Sequence, residues 1–200
     1  MTRLPSVLGT GDLHVAELCA ARIDGELVEL ADGWCPVDEP DLPSLRAAAA
    51  SLDAGPALIA ERLTAAWVHG GLDAPPRPAQ YCVPNSDRIA VRLDRRAVVR
   101  EVSLRPGEVV SLGGARCTSV ERTAFDVLRE AEVDDETAIA VVARLIAPRA
   151  GLAQRVHARL DAALRLPHKT LARRRLRLAE AVALEHGGEV GALRQPSLTR

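Results

Sequence analysis

The stretch Thr118-Ser-Val-Glu-Arg-Thr-Ala-Phe-Asp-Val-Leu128 decides the fold class, because it predicts a helix start directly behind a short strand. A threonine followed three residues later by a glutamate, here Thr118 and Glu121, is the pattern of a capping box. Apolar residues then recur at helical spacing, which predicts one buried stripe. Just upstream, Glu108-Val-Val-Ser-Leu-Gly-Gly114 predicts a short strand and a glycine turn. The local unit is therefore strand, turn and helix.

Outside this unit, strands come in a run and helices lie before and after them. Strands are predicted at residues 80–83, 89–93, 97–102 and 109–112. Helices are predicted at 45–52 and 57–69, and the chain beyond residue 118 is predicted to be helical with breaks at Pro148, Gly151 and Pro167. This order is typical of an α+β protein rather than a doubly wound sheet.

The first 37 residues have a pattern of their own. Residues 13–23 have helical spacing, and Ala31-Asp32-Gly33 between two short apolar runs predicts a tight β-hairpin. A helix followed by a β-ribbon is the back half of a winged helix, although few residues precede this helix. A proline-rich acidic linker follows at 36–43. We therefore predict a small, degenerate winged-helix-like module at 1–37. A mixed domain of helices and a short sheet follows at 44–200, with a helical, basic C-terminal third.

Charge is distributed unevenly along the chain. Residues 1–60 contain ten acidic residues and three arginines, which gives −7, whereas residues 151–200 contain ten basic and four acidic residues, which gives +6. A polyanion would therefore meet the C-terminal third first. Alternatively, the acidic and basic ends neutralise each other in the folded protein, and the sequence leaves both interpretations open.

The sequence lacks the usual patterns of catalytic and metal sites. The five histidines are scattered, and the spacing of the four cysteines is not that of a metal site. No phosphate-binding glycine loop or nucleophile elbow is present. We therefore expect no enzymatic activity, no metal and no cofactor. The cysteines are expected to be reduced and buried. No apolar run approaches the roughly 20 residues of a membrane helix, so we expect a cytoplasmic protein without membrane contact.

Three segments resemble the AbiEi-like antitoxins of type IV toxin–antitoxin systems, in particular their actinobacterial branch. The first is Ile59-Ala-Glu-Arg-Leu-Thr-Ala-Ala-Trp-Val-His-Gly70, and the second is Gly114-Ala-Arg-Cys-Thr-Ser-Val-Glu-Arg-Thr-Ala-Phe-Asp126. The third, Ala21-Arg-Ile-Asp-Gly-Glu-Leu-Val-Glu-Leu-Ala-Asp-Gly-Trp34, is similar to the wing of the family's winged helix. The matched motif positions are Trp67, His69, Gly70, Thr118, Arg122, Thr123 and Asp126.

The resemblance implies a modular regulator that binds its own promoter DNA and counters a nucleotidyltransferase-type toxin. The recognition helix would be 13–23, where Arg22 is the single basic residue among several acidic ones. The motif residues have two interpretations, a partner or ligand surface and a structural role. We favour the structural role, in which Trp67 anchors the core, His69 caps a helix and Arg122 bridges to Asp126.

The basic C-terminal helix is the second candidate for nucleic-acid contact. Arg173, Arg174 and Arg177 share one face by helical geometry, opposite an apolar side predicted at Leu171, Leu178 and Val182. The helix is predicted to begin at a Thr170 cap and to end at Gly187. The candidate nucleic-acid-binding residues are Arg22, Lys169, Arg173, Arg174 and Arg177. The alternatives are a solvated helix face, and a solitary interaction or scaffold protein without DNA or toxin; the oligomeric state is left open.

Overall fold

The fold is α+β, as predicted. The computed structural model describes residues 5–52, 54–86 and 96–192, with side chains described as far as residue 185. These residues form seven helices, a two-stranded hairpin and a five-stranded mixed sheet. By their contacts they divide into two compact units, Met1–Ser119 and Val120–Arg200. Within the described ranges, none of the helices is both long and apolar enough to pass through a membrane.

Unit 1 begins with the predicted helix and hairpin. Helix α1 (Val15–Ile23) starts with a capping box at His14, whose ring nitrogen accepts from the Ala16 amide at 3.2 Å. Strands β1 (Leu27–Leu30) and β2 (Gly33–Pro36) pair antiparallel across a two-residue turn. Residues 5–13 contain no helix; Leu8 instead bridges to Trp34 of β2. The predicted helix and hairpin are present, and their similarity to a winged helix stays a prediction.

The larger sheet supplies the centre of unit 1. Its strands lie in the order β5-β4-β3-β7-β6, with β4–β5 and β3–β7 parallel and the other two pairs antiparallel. The remaining elements of this unit are α2 (Pro43–Ser51), β3 (Ile59–Ala60), α3 (Arg62–Val68), β4 (Ala79–Pro84), β5 (Ala97–Val102), β6 (Val109–Leu112) and β7 (Ala115–Thr118). The predicted strand at 89–93 lies outside the described residues.

Two segments that were not predicted as strands, one within a predicted helix and one before a predicted helix, are strands in the structure. The helix predicted at 57–69 is a two-residue strand, β3, followed by the shorter helix α3. The segment before α4, predicted as a turn leading into the helix, is β7, and it ends at Thr118. Both strands are buried at the middle of the sheet, and short apolar runs of this kind have no periodicity that separates strand from helix.

The contacts place a boundary between units after Ser119, whereas the sequence predicted a domain boundary at the linker 36–43. The reason lies in the core, because the hairpin and α2 bury side chains in one apolar cluster. Cys35 of β2, Leu45 of α2 and Trp67 of α3 all belong to it. Burying these side chains together provides the main favourable term for folding and joins the N-terminal module to the sheet.

Unit 2 consists of helices α4 (Val120–Arg129), α5 (Asp135–Ile146), α6 (Leu152–Ala162) and α7 (Lys169–Ala192). The predicted breaks at Pro148, Gly151 and Pro167 all lie between helices. Helix α7 packs against the other three. Its start and end differ from the prediction, because it begins at Lys169, before Thr170, and continues past Gly187.

The cysteines are reduced, but they are not all buried. Cys35, Cys82 and Cys117 are buried and free, as expected, whereas Cys19 is exposed on α1. The prediction for Cys19 was wrong because its apolar neighbours in the sequence lie on the outward face of the helix. Burial raises the pKa of the Cys117 thiol to about 12, so this thiol stays protonated at neutral pH.

Candidate nucleic-acid interface

The inward face of α7 is built around one buried arginine. Arg175 is 2% exposed and lies in a buried stripe with Ala172, Leu176 and Ala179. Its Nε donates to the Asp135 carboxylate at 2.8 Å. Its two terminal nitrogens donate to backbone carbonyls that follow α4, at 2.7 Å and 2.5 Å for Glu130 and Val133, and to Leu128 within α4 at 3.3 Å. The planar guanidinium can satisfy several acceptors in fixed directions, which a lysine cannot do.

This stripe corrects the apolar side predicted for α7. Leu178 is 46% exposed, and Leu171 and Val182 are only half-buried. The buried stripe is displaced around the helix because it is made of small residues and an arginine. A hydrophobicity pattern gives most weight to leucine and valine, so it did not mark this stripe.

The outward face of α7 carries the predicted phosphate-binding arginines. Arg173 and Arg174 each bond a carboxylate, Asp161 of α6 and Asp135 of α5 respectively, and both pairs are substantially exposed. Arg177 is exposed and makes no ion pair within the part of the chain that the structure describes. The acidic partners come from unit 2 itself, whereas the sequence offered the acidic N-terminal end of the chain as the alternative partner.

The arginines lower the pKa values of the carboxyl groups that they bond. A hydrogen bond from Arg175 lowers the pKa of the Asp135 carboxyl, and the charge of Arg174 adds to the effect. A hydrogen bond from Arg173 likewise lowers the pKa of Asp161. Both carboxylates are therefore ionised at neutral pH and compete with any phosphate for the arginines.

The other two candidate bases have bonds of a different kind. Lys169 Nζ donates to the carbonyl oxygens of Asp161 at 3.2 Å and Ala163 at 2.7 Å, which satisfies free carbonyls at the end of α6. Arg22, in the last turn of α1, forms an exposed pair with Glu29 at 3.2 Å. The structure therefore does not bring Arg22 together with the α7 arginines in one unit.

The first two motif segments meet inside unit 1. Trp67 is 1% exposed in the core, and Arg46 lies over its ring at 5.7 Å and donates to its carbonyl at 2.9 Å. Next to it, His69 Nε2 donates to the carbonyl oxygen of Thr118 at 2.7 Å. Because a carbonyl only accepts, this contact places the ring proton on Nε2. One motif segment is thus bonded to the other, at a buried position.

Gly70 ends α3 in a conformation that suits glycine. Its φ of +84° lies in the left-handed region, and the amides of Gly70 and Gly71 donate back to Trp67 and Ala66 at 3.0 Å and 2.7 Å. These two hydrogen bonds form a Schellman motif, which satisfies the last carbonyls of the helix. His69 is the C-cap residue of α3, as predicted. Its ring also forms a hydrogen bond to Thr118 of β7.

The remaining motif residues lie in α4 and are also buried. Arg122 Nε bonds Asp126 at 2.7 Å, an intrahelical pair with both side chains less than a tenth exposed, and Thr123 is fully buried. The start predicted for α4 is one residue earlier than the start in the structure. Thr118 is the last residue of β7 and the helix begins at Val120, so Ser119 precedes its first residue. Glu121 pairs with Arg155 of α6 at 3.4 Å.

Phe125, the one phenylalanine of the chain, is in contact with two arginines. Arg129 and Arg159 lie over its ring at 4.9 Å and 4.4 Å. The cation–π contact of Arg159 attaches α6 to α4, whereas that of Arg129 lies within α4. Within the described ranges, no cluster of three or more histidine, cysteine or acidic residues has the arrangement of a metal site.

Sequence reasoning missed two residues that organise these units, Arg175 and Arg46. Arg175 stands at the same helical phase as the small residues Ala172 and Ala179, and this spacing was the one available signal. Arg46 bonds the nearby Asp41, but no local pattern marks its bonds to the carbonyls of Trp67 and Leu72, which lie more than twenty residues away.

Comparison with known proteins adds a likeness in structure. No family model and no curated protein matches the chain. Among solved structures, it is similar to the RV2827C protein from Mycobacterium tuberculosis, with a TM-score of 0.47 and 16% sequence identity. That match covers 98% of this chain and 78% of the other. A likeness of this degree says nothing about function.

Proposed function

We propose that the protein is a non-enzymatic, cytoplasmic regulator of the AbiEi-like antitoxin kind. It binds its own promoter DNA and counters a nucleotidyltransferase-type toxin. The three segments that resemble this family support the proposal. The bond between His69 and Thr118 adds to it, because it gives two distant motif segments a shared structural purpose.

The observation that carries DNA binding is the exposed row of arginines on α7. Arg173, Arg174 and Arg177 project from one side of the helix, and arginine is well suited to phosphate because its fork donates two parallel hydrogen bonds. Residues 151–185 contain eight basic and three acidic residues, so the surface is positive overall.

The acidic partners of Arg173 and Arg174 do not prevent this contact. Both ion pairs are exposed, and exposed pairs contribute only about 0–1 kcal/mol. Exchanging a carboxylate for a phosphate therefore costs little. Arg177 has no ion pair to exchange among the residues that the structure describes, so we place the first phosphate contact there. Lys169 is a lesser contributor, because it bonds two carbonyl oxygens at the end of α6. Arg22 is the weakest candidate, because it stands among acidic residues.

The second candidate function is a solitary interaction or scaffold protein that keeps the fold without reading DNA. One observation favours it, the acidic surroundings of α1. A duplex carries about one negative charge per 1.7 Å, so it would repel a recognition helix that lies among Glu17, Asp24 and Glu26. This observation moves the proposed DNA contact from α1 to α7 and leaves α1 for another role.

A gel-shift assay with the DNA upstream of the gene tests the proposal. We expect a shift at low salt, and Arg177→Glu should weaken it by roughly tenfold, since it replaces one phosphate contact by a repulsion. The matched control is Arg77→Glu, which changes an exposed arginine of unit 1 and should leave the shift unchanged. Equal effects of the two variants would reject the α7 surface, and no shift at low salt would favour the scaffold alternative.

A further inference from the structure

The outward face of α1 is apolar throughout. Five residues share it by helical spacing and all are exposed: Val15, Ala16, Cys19, Ala20 and Ile23. Val15 is 47% exposed and Ile23 is 81% exposed. On the opposite side of the same helix, Leu18 is completely buried in a small cluster with Leu8 and Leu27.

This arrangement is unusual for a surface helix, which normally turns charged side chains towards water. At 100° per residue, the two charged residues within α1, Glu17 and Arg22, lie at the two edges of the exposed face. The face is therefore an apolar strip bordered by charge, the pattern that marks an interaction surface. Ala16, Cys19 and Ala20 are small, so a partner can approach the helix backbone closely.

The net charge of the helix and hairpin that carry the strip indicates the chemistry of its occupant. Residues 12–36 contain six acidic residues and one arginine, which gives −5. Nucleic acid is repelled by such a field, and a second copy of the same module would bring like charges together. A protein with an apolar contact surface surrounded by lysine or arginine can bury that surface against the strip, and its basic residues are attracted to the negative charge.

We propose that the outward face of α1 docks a protein partner through an amphipathic helix with an apolar face and basic flanks. Ile23 and Val15 provide the apolar contacts at the two ends of the strip, and the acidic residues around it pair with the basic flanks. The inference does not depend on DNA binding by α7, because the two surfaces belong to different units.

The test uses an 18-residue fluorescent peptide with a leucine face and lysine flanks, and the full-length chain. We expect saturable binding by fluorescence anisotropy. The Ile23→Glu variant should bind at least tenfold more weakly. This change makes the surface more acidic, so plain charge attraction would strengthen binding; a loss therefore identifies the apolar strip. Val98→Glu, an exposed valine on β5 of the same unit, is the matched control and should bind as the native chain does.

A second readout comes from Cys19, the exposed one of the four cysteines. Saturation with the peptide should slow the reaction of Cys19 with a thiol reagent at least fivefold, and a control peptide with glutamate flanks should not. Unchanged or tighter binding by Ile23→Glu would overturn the inference. So would sedimentation showing a dimer of the native chain that Ile23→Glu separates, because a second copy would then cover the strip.

Discussion

At the scale of the residue, four arginines within five positions of α7 have unequal surroundings. Arg173, Arg174 and Arg177 are exposed, whereas Arg175 is buried and bonds one carboxylate and three backbone carbonyls. Hydrogen bonds to a charged group contribute about 1.5–3 kcal/mol each, more than bonds between neutral groups. The stability of unit 2 therefore depends on Arg175 far more than on its neighbours.

We predict that Arg175→Met lowers the free energy of unfolding by about 3 kcal/mol, because it leaves buried carbonyls without a donor. Methionine keeps most of the volume of the arginine side chain, so the loss of stability measures the lost hydrogen bonds. The control Arg177→Met should change stability by no more than about 0.5 kcal/mol, as is usual for an exposed position. Urea unfolding followed by circular dichroism measures both. Equal losses in the two variants would show that Arg175 has no special structural role.

A second residue-scale prediction concerns acid. The pKa of Asp135 is lowered in the folded state by its hydrogen bond from Arg175. Its contribution to stability is therefore complete above the ordinary aspartate pKa of about 4 and is lost as pH falls through the folded value. Asp135→Asn should be less stable than the native chain at pH 7, and the difference should shrink below about pH 4. Urea unfolding at several pH values measures this, and a constant difference down to pH 2.5 would contradict it.

These residue roles were only partly predictable. The spacing of Arg122 and Asp126 predicted an intrahelical pair, which the structure contains. The role of Arg175 depends on carbonyls more than forty residues away in the sequence, and no local pattern encodes them. The exposed Cys19 was misjudged for a related reason, since an apolar strip on a helix looks the same in sequence whether core or solvent faces it.

At the scale of the element, the turn between β6 and β7 is fixed by its contact with α2. Gly113 and Gly114 both have positive φ, 57° and 82°. A Cβ on Gly113 would overlap the carbonyl oxygen of Ser44, whereas a Cβ on Gly114 would meet open space. Both glycines therefore adopt the left-handed conformation, but only Gly113 is in close contact with α2.

This difference gives a matched pair of variants. Gly114→Ala should cost about 1–2 kcal/mol, the usual penalty for an alanine in the left-handed region. Gly113→Ala should cost at least about 2 kcal/mol more, because α2 or the turn must move to make room. Thermal unfolding of both variants measures the difference. Similar melting temperatures would show that the turn does not pack closely against α2.

The sequence predicted the elements with strong local signals and missed those defined by the sheet. The hairpin at β1–β2, the strands β5 and β6 and the breaks between the C-terminal helices were confirmed. Strand β3 was missed because it has only two residues and exists through its pairing with both β4 and β7. Such a strand is defined by its partners, and local sequence does not encode partners.

At the scale of the whole molecule, the chain separates two kinds of surface. Unit 1 carries an apolar strip with acidic surroundings on α1, and unit 2 carries exposed arginines on α7. The sequence predicted the charge difference between the two ends. It did not show that acids within unit 2 would bond two of the arginines. DNA binding by α7 therefore depends on whether phosphate can displace those acids.

The salt dependence of DNA binding tests that central claim most directly. Fluorescence anisotropy with the upstream DNA should give a log–log slope of affinity against salt near −3, because three arginines would each neutralise a phosphate at about −0.9 per contact. A variant with Arg173, Arg174 and Arg177 all changed to glutamine should have a slope near zero and the same melting temperature within a few degrees. An unchanged slope in this variant, or no binding by the native chain at low salt, would contradict the account.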